Sequence, residues 1–241
     1  MKFSILTATF NSEQTISDTI KSINSQNYRT IEHIIIDACS SDKTISIITS
    51  EASIRPKIIS EKDHGIYDAL NKGIRKASGD YILCLHSDDM LASNTILADV
   101  KEIIIENDYP DIMFFSITLQ SQNGEKYWNA TKDSVKGIRN GWYPPHTGMI
   151  VKAGLMKKKI YNSNMKIASD YCWIYDRIAT PNIRIYISPI VLCKMRNDGR
   201  SQKIKGKLTG NLEILKHLIE INSFWPAVNI FTKRLIFSIK K

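Results

Sequence analysis

Residues 31–37 read Ile-Glu-His-Ile-Ile-Ile-Asp, a run dominated by β-branched side chains that ends at an aspartate and passes into the turn residues of 38–42. An apolar run of this length before a turn cluster predicts a buried strand. Comparable apolar runs are found at 3–9, 57–61 and 81–86, and segments with a helical spacing of apolar residues follow them. Strands that alternate with helices predict β-α-β units, with a mainly parallel sheet and helices on both of its faces.

The pattern changes in the second half of the chain. Two β-like segments, 111–118 and 126–131, flank Gln122-Asn123-Gly124, a turn signal that predicts an antiparallel excursion. Further along, the spacing predicts a short strand at 147–151, a helix that begins near Ser169, and two β-like runs at 183–187 and 190–195. The predicted fold class is therefore α/β, with a Rossmann-like mixed sheet in which parallel strands predominate.

The positive charge of the chain is concentrated near its end. The 241 residues carry a formal net charge of +9, and residues 200–241, with nine basic and two acidic residues, account for +7 of it. We predict a principal domain over 1–202 and a basic, amphipathic helical extension over 203–241. From residue 228 onward apolar and basic residues are interleaved, which is typical of a helix in an anionic membrane interface and also of a helix packed on the core.

Composition and spacing exclude several classes of protein. The four cysteines, Cys39, Cys84, Cys172 and Cys193, form no C-x-x-C pair and have no close histidine partners, which argues against a zinc cluster and a disulfide scaffold. The sequence contains no run of about 18 apolar residues, so a membrane-spanning helix is not expected. The first residues read as a strand instead of a signal peptide, and we expect a cytoplasmic protein. No base-stacking or helix-turn-helix signature accompanies the basic charge, so a nucleic-acid partner is not expected.

Acidic residues follow three successive predicted strands, at Asp37, at Asp63 and at the Asp88-Asp89 pair. In open α/β sheets ligands bind beyond the carboxyl ends of the strands, where these residues would meet. Each of them alone is as readily a turn or a helix cap. Together they form a set of hard oxygen ligands that suits Mg²⁺ or Mn²⁺, with phosphate oxygens and water completing the coordination shell. The sequence thus predicts a site for a divalent cation and a nucleoside diphosphate.

These segments, in this order, resemble family 2 glycosyltransferases, and most closely the branch that builds repeat units of bacterial O-antigen, capsule and colanic acid. The resemblance is carried by residues 4–12, 34–37, 40–44, 60–73, 79–80 and 87–89, and its most specific part is the Asp-His-Gly-Ile-Tyr-Asp-Ala-Leu-Asn-Lys-Gly block of 63–73. A weaker continuation covers His146, residues 167–171 and residues 199–201. The resemblance implies a GT-A fold with a C-terminal helical basic tail.

The same resemblance implies roles for individual residues. Asp89 would bind the metal, and Asp170, at the start of a helix beside the acceptor, would be the catalytic base. His146, on a loop after two prolines, would contact the acceptor or the metal, although a lone loop histidine is as often a surface residue. The residues expected to bind the nucleotide or donor sugar are Thr7, Thr9, Asp37, Asp63, Asp88 and Arg200.

The chain departs from the family pattern at four positions. Ala38 and Lys43 stand where glycine is usual, and His86 and Thr147 stand where asparagine and glutamine are frequent. The acids named above are all retained, so we expect an active enzyme. The changed polar positions are candidates for altering the choice of sugar.

The implied function is an inverting, metal-dependent transfer of a sugar from a nucleotide-diphosphate donor, with UDP favoured by family habit. The acceptor would be an undecaprenyl-pyrophosphate-linked saccharide, and the enzyme would lie on the inner face of the cell membrane. Mn²⁺ or Mg²⁺ would offset the charge of the departing diphosphate. Two alternatives stay open: a sugar-nucleotide pyrophosphorylase, which should carry a Gly-rich loop where residues 9–12 read Thr-Phe-Asn-Ser, and a non-catalytic nucleotide-binding module.

Overall fold

The computed structural model describes residues 1–121, 124–131, 134–142, 144–196 and 204–239. Within these ranges nine strands form one sheet. The strands are β1 (Phe3–Thr9), β2 (Ile31–Asp37), β3 (Lys57–Ser60), β4 (Tyr81–Cys84), β5 (Met90–Leu91), β6 (Ile112–Ser121), β7 (Gly124–Trp128), β8 (Met149–Lys152) and β9 (Ile185–Arg196). Their order across the sheet is β3-β2-β1-β4-β8-β6-β9-β5, with β7 paired to β6 outside this path.

The first half of the sheet is parallel and the second half is mixed. Strands β1 to β4 pair in parallel. Strand β8 runs antiparallel to both β4 and β6, whereas β9 is parallel to β6. The predicted antiparallel excursion is confirmed, because β6 and β7 pair antiparallel with Ser121 opposite Gly124; residues 122 and 123 of the predicted turn lie outside the described residues.

Helices cover both faces of this sheet. They are α1 (Ile16–Asn24), α2 (Thr44–Glu51), α3 (Ile66–Lys76), α4 (Ile96–Glu106), α5 (Ser134–Arg139), α6 (Ala153–Lys158), α7 (Ser169–Ile178), α8 (Ile204–Glu220) and α9 (Phe224–Ile239). A single 3₁₀ turn, His146–Gly148, precedes β8 within the described ranges. The predicted α/β class, with a mixed and mainly parallel sheet between helices, is confirmed.

The apolar run at 31–37 is buried on both sides of the sheet. Ile34 and Ile36 contribute to the core that α3 and α7 cover, whereas Ile35 packs with Ile16 and Ile20 of α1 on the opposite face. Because side chains alternate between the faces of a strand, a continuous β-branched run requires helices on both sides. This arrangement explains why the sequence lacks the polar alternation of a half-exposed strand.

One local prediction differs from the structure. The β-like runs at 183–187 and 190–195 are one strand, β9, whose pairing with β6 shifts where Ser188 lies opposite Phe115 and Val191 opposite Ser116. The shift accommodates Pro189, which has no amide hydrogen to donate to the neighbouring strand. Before the first helix, which begins at Ile16, the Asn11 side chain accepts a hydrogen bond from the backbone amide of Ser41 (2.9 Å).

The C-terminal helices α8 and α9 form a hairpin that packs beside α7. Ile214 and Leu218 of α8 and Ala227 and Ile230 of α9 belong to the main apolar core. The alternative in which the C-terminal segment packs on the core therefore applies to one face of the hairpin. No helix in the described part of the chain has the length and apolar character needed to cross a bilayer.

Candidate functional site

The predicted acids meet at the carboxyl edge of the parallel strands. Asp37 is the last residue of β2 and lies opposite Thr9, the last residue of β1. The Asp88-Asp89 pair lies between β4 and β5 on the same edge. An open cleft of about 570 Å³ runs along it and is lined by Asn11, Ser12, Gln14, Asp42, Ser87 and Asp88. The topology therefore gathers side chains from the ends of β1, β2 and β4 at one surface.

Asp37 is fully buried and its carboxylate is held by serines. Oδ1 accepts a hydrogen bond from the Ser40 hydroxyl (2.5 Å), and Oδ2 accepts bonds from the Ser40 amide (3.0 Å) and the Ser60 hydroxyl (2.7 Å). This network fixes the Asp37 carboxylate at the floor of the strand edge. Thr9 beside it is 5% exposed, and its hydroxyl has no hydrogen-bond partner among the described residues.

Thr7 lies deeper than the other predicted contacts. Its side chain is fully buried and its hydroxyl lies 2.9 Å from Nε2 of His33 on β2. Burial lowers the pKa of His33 to about 4, so this histidine is neutral at pH 7. The Thr7 hydroxyl thus contacts a neighbouring strand instead of the cleft.

Asp63 begins the turn that leads into α3. Its Oδ1 accepts a hydrogen bond from the amide of Gly65 (2.9 Å), and the His64 amide donates to Asp68 (3.1 Å). Gly65 has a φ of +127°, a conformation that glycine adopts far more readily than other residues. Part of the block at 63–73 therefore encodes the start of a helix. Gly73 ends the block where α3 approaches β2, since a Cβ there would lie 2.7 Å from Ile36 Cδ1.

Asp89 is the buried acid without a partner. It is 1% exposed, and neither of its carboxylate oxygens has a hydrogen-bond partner among the described residues. Burial raises its pKa well above the usual value, the neighbouring charge of Asp88 raises it further, and Arg196 acts in the opposite direction. The Thr19 hydroxyl holds the Asp89 backbone carbonyl (2.7 Å), which fixes the position of the residue.

The surroundings of Asp89 suit a hard divalent cation. An ionised carboxylate buried without a partner is unfavourable unless a positive charge compensates it. No cluster of three metal-ligating side chains is found among the described residues. Mg²⁺ and Mn²⁺ sites of nucleotide enzymes need only one or two protein carboxylates, because substrate phosphates and water supply the remaining ligands. Asp89, with Asp88 beside it, fits that kind of site.

Asp170 lies in the first turn of α7 and is 4% exposed. The hydroxyl of Tyr67 on α3 lies 2.8 Å from its Oδ1 and 2.7 Å from the backbone oxygen of Ile167. From the sequence, Tyr67 was assigned no role in the site. Its place in the specific block at 63–73 was the available signal, because that block carries Tyr67 on the face of α3 that meets α7.

His146 is part of a polar cluster with His86 and Tyr161, in which the two histidines are half-buried and the tyrosine is buried. Its Nε2 lies 2.8 Å from the hydroxyl of Tyr161, and its ring lies 5.4 Å from that of His86. Burial lowers the pKa of both histidines to about 4, and for His86 the neighbouring His146 contributes in the same direction. Nδ1 of His86 has no partner among the described residues. Tyr161 was not predicted, since a lone tyrosine after a helix gives no signal in the sequence.

Arg200 lies outside the described residues, so its predicted role stays a prediction. The last described residue of β9, Arg196, donates a hydrogen bond from Nη2 to Oδ2 of Asp18 at the start of α1 (2.5 Å). Arg196 lies close enough to Asp89 to offset part of the rise in the pKa of that carboxyl. A positive charge is thereby placed near the acidic pair.

Comparison with known proteins places this site in context. The profile of glycosyl transferase family 2 matches residues 4–183. An uncharacterized glycosyltransferase of Mycobacterium tuberculosis is 37% identical over 102 residues, which are 42% of this chain and 39% of that protein. A PGL/p-HBAD biosynthesis glycosyltransferase of Mycobacterium bovis is 31% identical over 124 residues, or 50% of this chain and 48% of the relative. The match spans less than half the length of these curated relatives.

Solved structures share the fold. Staphylococcus aureus TarS 1-349 in complex with UDP-GlcNAc superimposes with a TM-score of 0.72 at 19% identity, over 97% of this chain and 72% of that chain. The mannosyltransferase PcManGT from Pyrobaculum calidifontis, in complex with GDP-Man and Mn²⁺, gives a TM-score of 0.70 at 15% identity, over 99% of this chain and 75% of that chain. The sheet and helices described above are thus arranged as in GT-A glycosyltransferases.

Proposed function

The chain belongs to glycosyl transferase family 2, and from that premise we propose that it transfers a sugar, with inversion, from a UDP-sugar to a lipid-linked saccharide in the synthesis of a bacterial surface polysaccharide. That the protein is a glycosyltransferase with a GT-A fold is given by the family and by the structural neighbours. The donor nucleotide, the metal, the acceptor and the pathway are the proposed part.

The observation that carries the proposal is the buried carboxylate of Asp89, which has no hydrogen-bond partner among the described residues and lies beside Asp88 at the carboxyl edge of the sheet. When bound, Mn²⁺ or Mg²⁺ supplies positive charge that offsets the negative charge developing on the departing diphosphate. Asp89 would hold that ion, and Asp88, which lines the cleft, would lie nearer the ribose or donor sugar. The structural neighbour with GDP-Man and Mn²⁺ supports a metal of this kind.

The nucleotide base is assigned to the ends of β1 to β3. Asp37 and Thr9 lie side by side at the strand edge, and Asp63 lies where β3 leads into α3. The bound UDP-GlcNAc of the TarS neighbour supports a uridine nucleotide in this fold. We assign Thr7 a supporting position, because its hydroxyl faces His33.

The proton transfer is assigned to Asp170. A carboxylate at the start of α7, held by the Tyr67 hydroxyl, can accept the proton of an acceptor hydroxyl while that oxygen attacks the sugar C1. One displacement of this kind inverts the anomeric configuration. His146 and Tyr161 lie between the Asp170 and Asp88 sides of the site, and His146 is the proposed contact to the acceptor or the metal.

The acceptor is proposed to be an undecaprenyl-pyrophosphate-linked saccharide of the O-antigen or capsule type, reached from the cytoplasmic face of the membrane. One relative is named for PGL/p-HBAD biosynthesis and another for β-N-acetylglucosaminyl transfer to poly(ribitol-phosphate), and the polymer in the second name supports a polysaccharide acceptor. The basic charge of residues 200–241 supports an anionic lipid surface nearby.

A panel of nucleotide sugars tests the donor and the metal together. Thermal unfolding is measured with UDP-GlcNAc, UDP-Gal, GDP-Man and a dTDP-sugar, each with Mn²⁺ or with a chelator. We expect stabilisation by a UDP-sugar only with Mn²⁺, by about 2.7 kcal/mol at a hundred times the dissociation constant. NMR of the glycoside formed on a lipid-pyrophosphate saccharide should then show an inverted anomeric centre. A flat panel, or equal stabilisation with the chelator, contradicts the proposal.

A further inference from the structure

The α8–α9 hairpin exposes an unusual amount of apolar surface. Seven of the thirteen exposed large hydrophobic side chains among the described residues lie within residues 208–228. We call this surface the hairpin ridge, and it consists of Leu208, Leu212, Ile219, Ile221, Phe224, Trp225 and Val228. Trp225 is 79% exposed, the largest value in the set, and its ring contacts Phe224 at a centroid distance of 5.8 Å. Contiguous exposed apolar surface of this kind marks an interaction site.

The ridge follows from the helical spacing of its residues. Leu208, Leu212 and Ile219 are separated by four and seven positions, which places them in one stripe along α8. Phe224 and Val228 are four positions apart on α9. The two stripes meet at the turn between the helices, next to Trp225. The opposite side of the hairpin is buried in the core, so the ridge is the side without a partner within the described chain.

The ridge is held firmly to the acceptor side of the site. The Glu213 carboxylate of α8 accepts hydrogen bonds from three consecutive backbone amides, those of Lys166 (2.7 Å), Ile167 (3.0 Å) and Ala168 (2.9 Å). These amides immediately precede α7, which carries Asp170 in its first turn. Arg234 of α9 bonds to the Asn211 side chain (2.7 Å). A surface docked through the ridge would therefore lie at a fixed position relative to Asp170.

The charge around the ridge favours one kind of partner. Residues 200–241 carry a net charge of +7, and the basic residues lie mainly in the segments that flank the ridge, 200–207 and 233–241. On the ridge itself Lys216, with an 80% exposed side chain, lies between Leu212 and Ile219 and pairs with Glu220 (3.9 Å). Exposed tryptophan and phenylalanine beside leucine, isoleucine and lysine are typical of segments that lie in a membrane interface. A second copy of the chain docked on the ridge would bring two sets of basic flanking segments together, which electrostatic repulsion disfavours.

We propose that the hairpin ridge inserts into the headgroup region of an anionic bilayer, with Trp225 and Phe224 as its anchors. The inference rests on the proposed function for its purpose: docking there presents Asp170 to an acceptor carried by the same bilayer. It moves the expected membrane contact from the end of the chain to the turn between α8 and α9. In the second half of α9, Ile230 is buried and Arg234 lies over the ring of Tyr171.

Vesicle binding by the full chain tests the proposal. Co-sedimentation is measured with vesicles of equal phosphatidylglycerol and phosphatidylcholine, and with phosphatidylcholine alone. The variant is Phe224→Ser with Trp225→Ser, and the matched control is Tyr127→Ser, which removes a 68% exposed aromatic ring from β7. We expect the double variant to bind anionic vesicles about tenfold more weakly or worse, and the control to bind like the unmodified chain. Equal binding by the double variant overturns the proposal.

Two further readouts separate the possible failures. Brominated lipids should quench the part of the tryptophan emission that Trp225→Phe removes, whereas absence of this quenching with bound protein argues against insertion. Sedimentation velocity without lipid should give the same species for the unmodified chain and the double variant, and a dimer lost in the variant would instead assign the ridge to a second copy. Thermal stabilisation by a UDP-sugar with Mn²⁺ is measured on the same samples. If the unmodified chain fails to bind anionic vesicles but is stabilised by a UDP-sugar with Mn²⁺, only the ridge proposal is overturned. If it binds the vesicles through the ridge but no nucleotide sugar stabilises it, only the donor assignment is overturned.

Discussion

Glu32 and Asp89 are both buried carboxylates, but they lie at opposite edges of the sheet and differ in their hydrogen bonds and in their pKa values. Glu32, at the amino end of β2, is 6% exposed and accepts hydrogen bonds from the Ser4 hydroxyl, the Ser78 amide and hydroxyl, and Lys57 Nζ, all within 2.8 Å. Asp89, beyond the carboxyl end of β4, is 1% exposed and has no such partner among the described residues. Both acids lie at edges of the same sheet, but within the described residues only Glu32 has a full set of hydrogen-bond donors.

The pKa values of the two acids show the contrast. Burial raises the pKa of Glu32, but the bonds from Lys57, Ser78 and Ser4 outweigh it and lower the pKa to about 2. Burial and the charge of Asp88 raise the pKa of Asp89 well above its usual value, and the opposing contributions of His86 and Arg196 do not offset them. A buried acid that the fold satisfies stabilises the fold, whereas one that it leaves unsatisfied is available to a ligand.

The largest expected effect is on turnover, from Asp89→Asn. We expect sugar transfer to fall by about a hundred- to thousandfold, since the charge that compensates the diphosphate is lost with its ligand. The melting temperature without metal should be equal or higher, because a buried charge has been removed. Initial rates and thermal unfolding of the same preparation measure both. An unaltered rate, or a marked loss of stability, would show that Asp89, like Glu32, stabilises the fold and does not serve catalysis.

Tyr67→Phe tests a third buried acid, Asp170, whose Oδ1 accepts a hydrogen bond from the Tyr67 hydroxyl. Removal of the hydroxyl 2.8 Å from Oδ1 should lower turnover about ten- to hundredfold, since hydrogen bonds to charged groups contribute about 1.5–3 kcal/mol. The KM for the donor should stay the same, because Tyr67 lies on the acceptor side. Steady-state kinetics separate the two parameters. A raised donor KM with unchanged turnover would show that Tyr67 serves the nucleotide instead.

Glu32→Gln should act on stability and leave catalysis alone. Loss of the charge leaves the Lys57 ammonium and the serine donors without their acceptor, and we expect the free energy of unfolding to fall by about 1–3 kcal/mol. Turnover per folded molecule should be unchanged, since Glu32 lies at the edge opposite the cleft. Urea unfolding and initial rates provide the two measurements. A Glu32→Gln variant as stable as the unmodified chain would contradict the proposal that Glu32 serves stability and Asp89 serves ligand binding.

The unfolding free energies of the unmodified chain and of Glu32→Gln should also differ in their pH dependence, and the pKa of Glu32 gives the direction of that difference. The folded-state pKa of Glu32, about 2, is below its ordinary value of 4.5, so the folded state binds the proton less tightly than the unfolded state. The stability that Glu32 contributes should be complete above pH 4.5 and should be lost as the pH falls toward 2. The difference in unfolding free energy between the unmodified chain and Glu32→Gln, measured from pH 7 downward, should shrink in that window. A constant difference would contradict this assignment.

The smallest expected effect separates the two threonines of β1. Thr7→Val should cost about 1 kcal/mol of stability, because it removes one hydrogen bond to buried His33, and should leave the donor KM unchanged. Thr9→Val removes a hydroxyl without a partner among the described residues at the strand edge, and should raise the donor KM with little effect on stability. Chemical unfolding and donor titrations of both variants decide this. A raised donor KM for Thr7→Val, with a loss of stability for Thr9→Val, would instead indicate that Thr7 contacts the nucleotide.

The sequence was most informative in the strands whose formation depends mainly on the burial of apolar side chains. Continuous β-branched runs such as 31–37 must be buried on both faces, so the parallel half of the sheet could be predicted strand by strand. Strand β9 was divided in two because Pro189 interrupts its pattern, and only the pairing with β6 shows that the chain continues beyond the shift. Local spacing does not record such non-local pairing.

The site also contains residues that the sequence could place and contacts that only the structure shows. Acids at strand ends could be placed from topology alone, and Asp37 and Asp89 lie at the predicted edge. The contacts of Thr7 with His33, Tyr67 with Asp170 and Tyr161 with His146 join residues that are distant in sequence. These pairs depend on which helix or strand packs against which, and a single sequence does not state it.

The loop that carries Asp88 and Asp89 is clamped at both ends. Strand β4 fixes one end between β1 and β8, strand β5 fixes the other against β9, and Ser87 bonds to Ser12 in between (2.8 Å). A cation that binds there has little loop freedom to remove, so its affinity should depend mainly on charge and dehydration. The association rate should accordingly be that of a preorganised site, with no slow ordering phase when the ion is added to the protein.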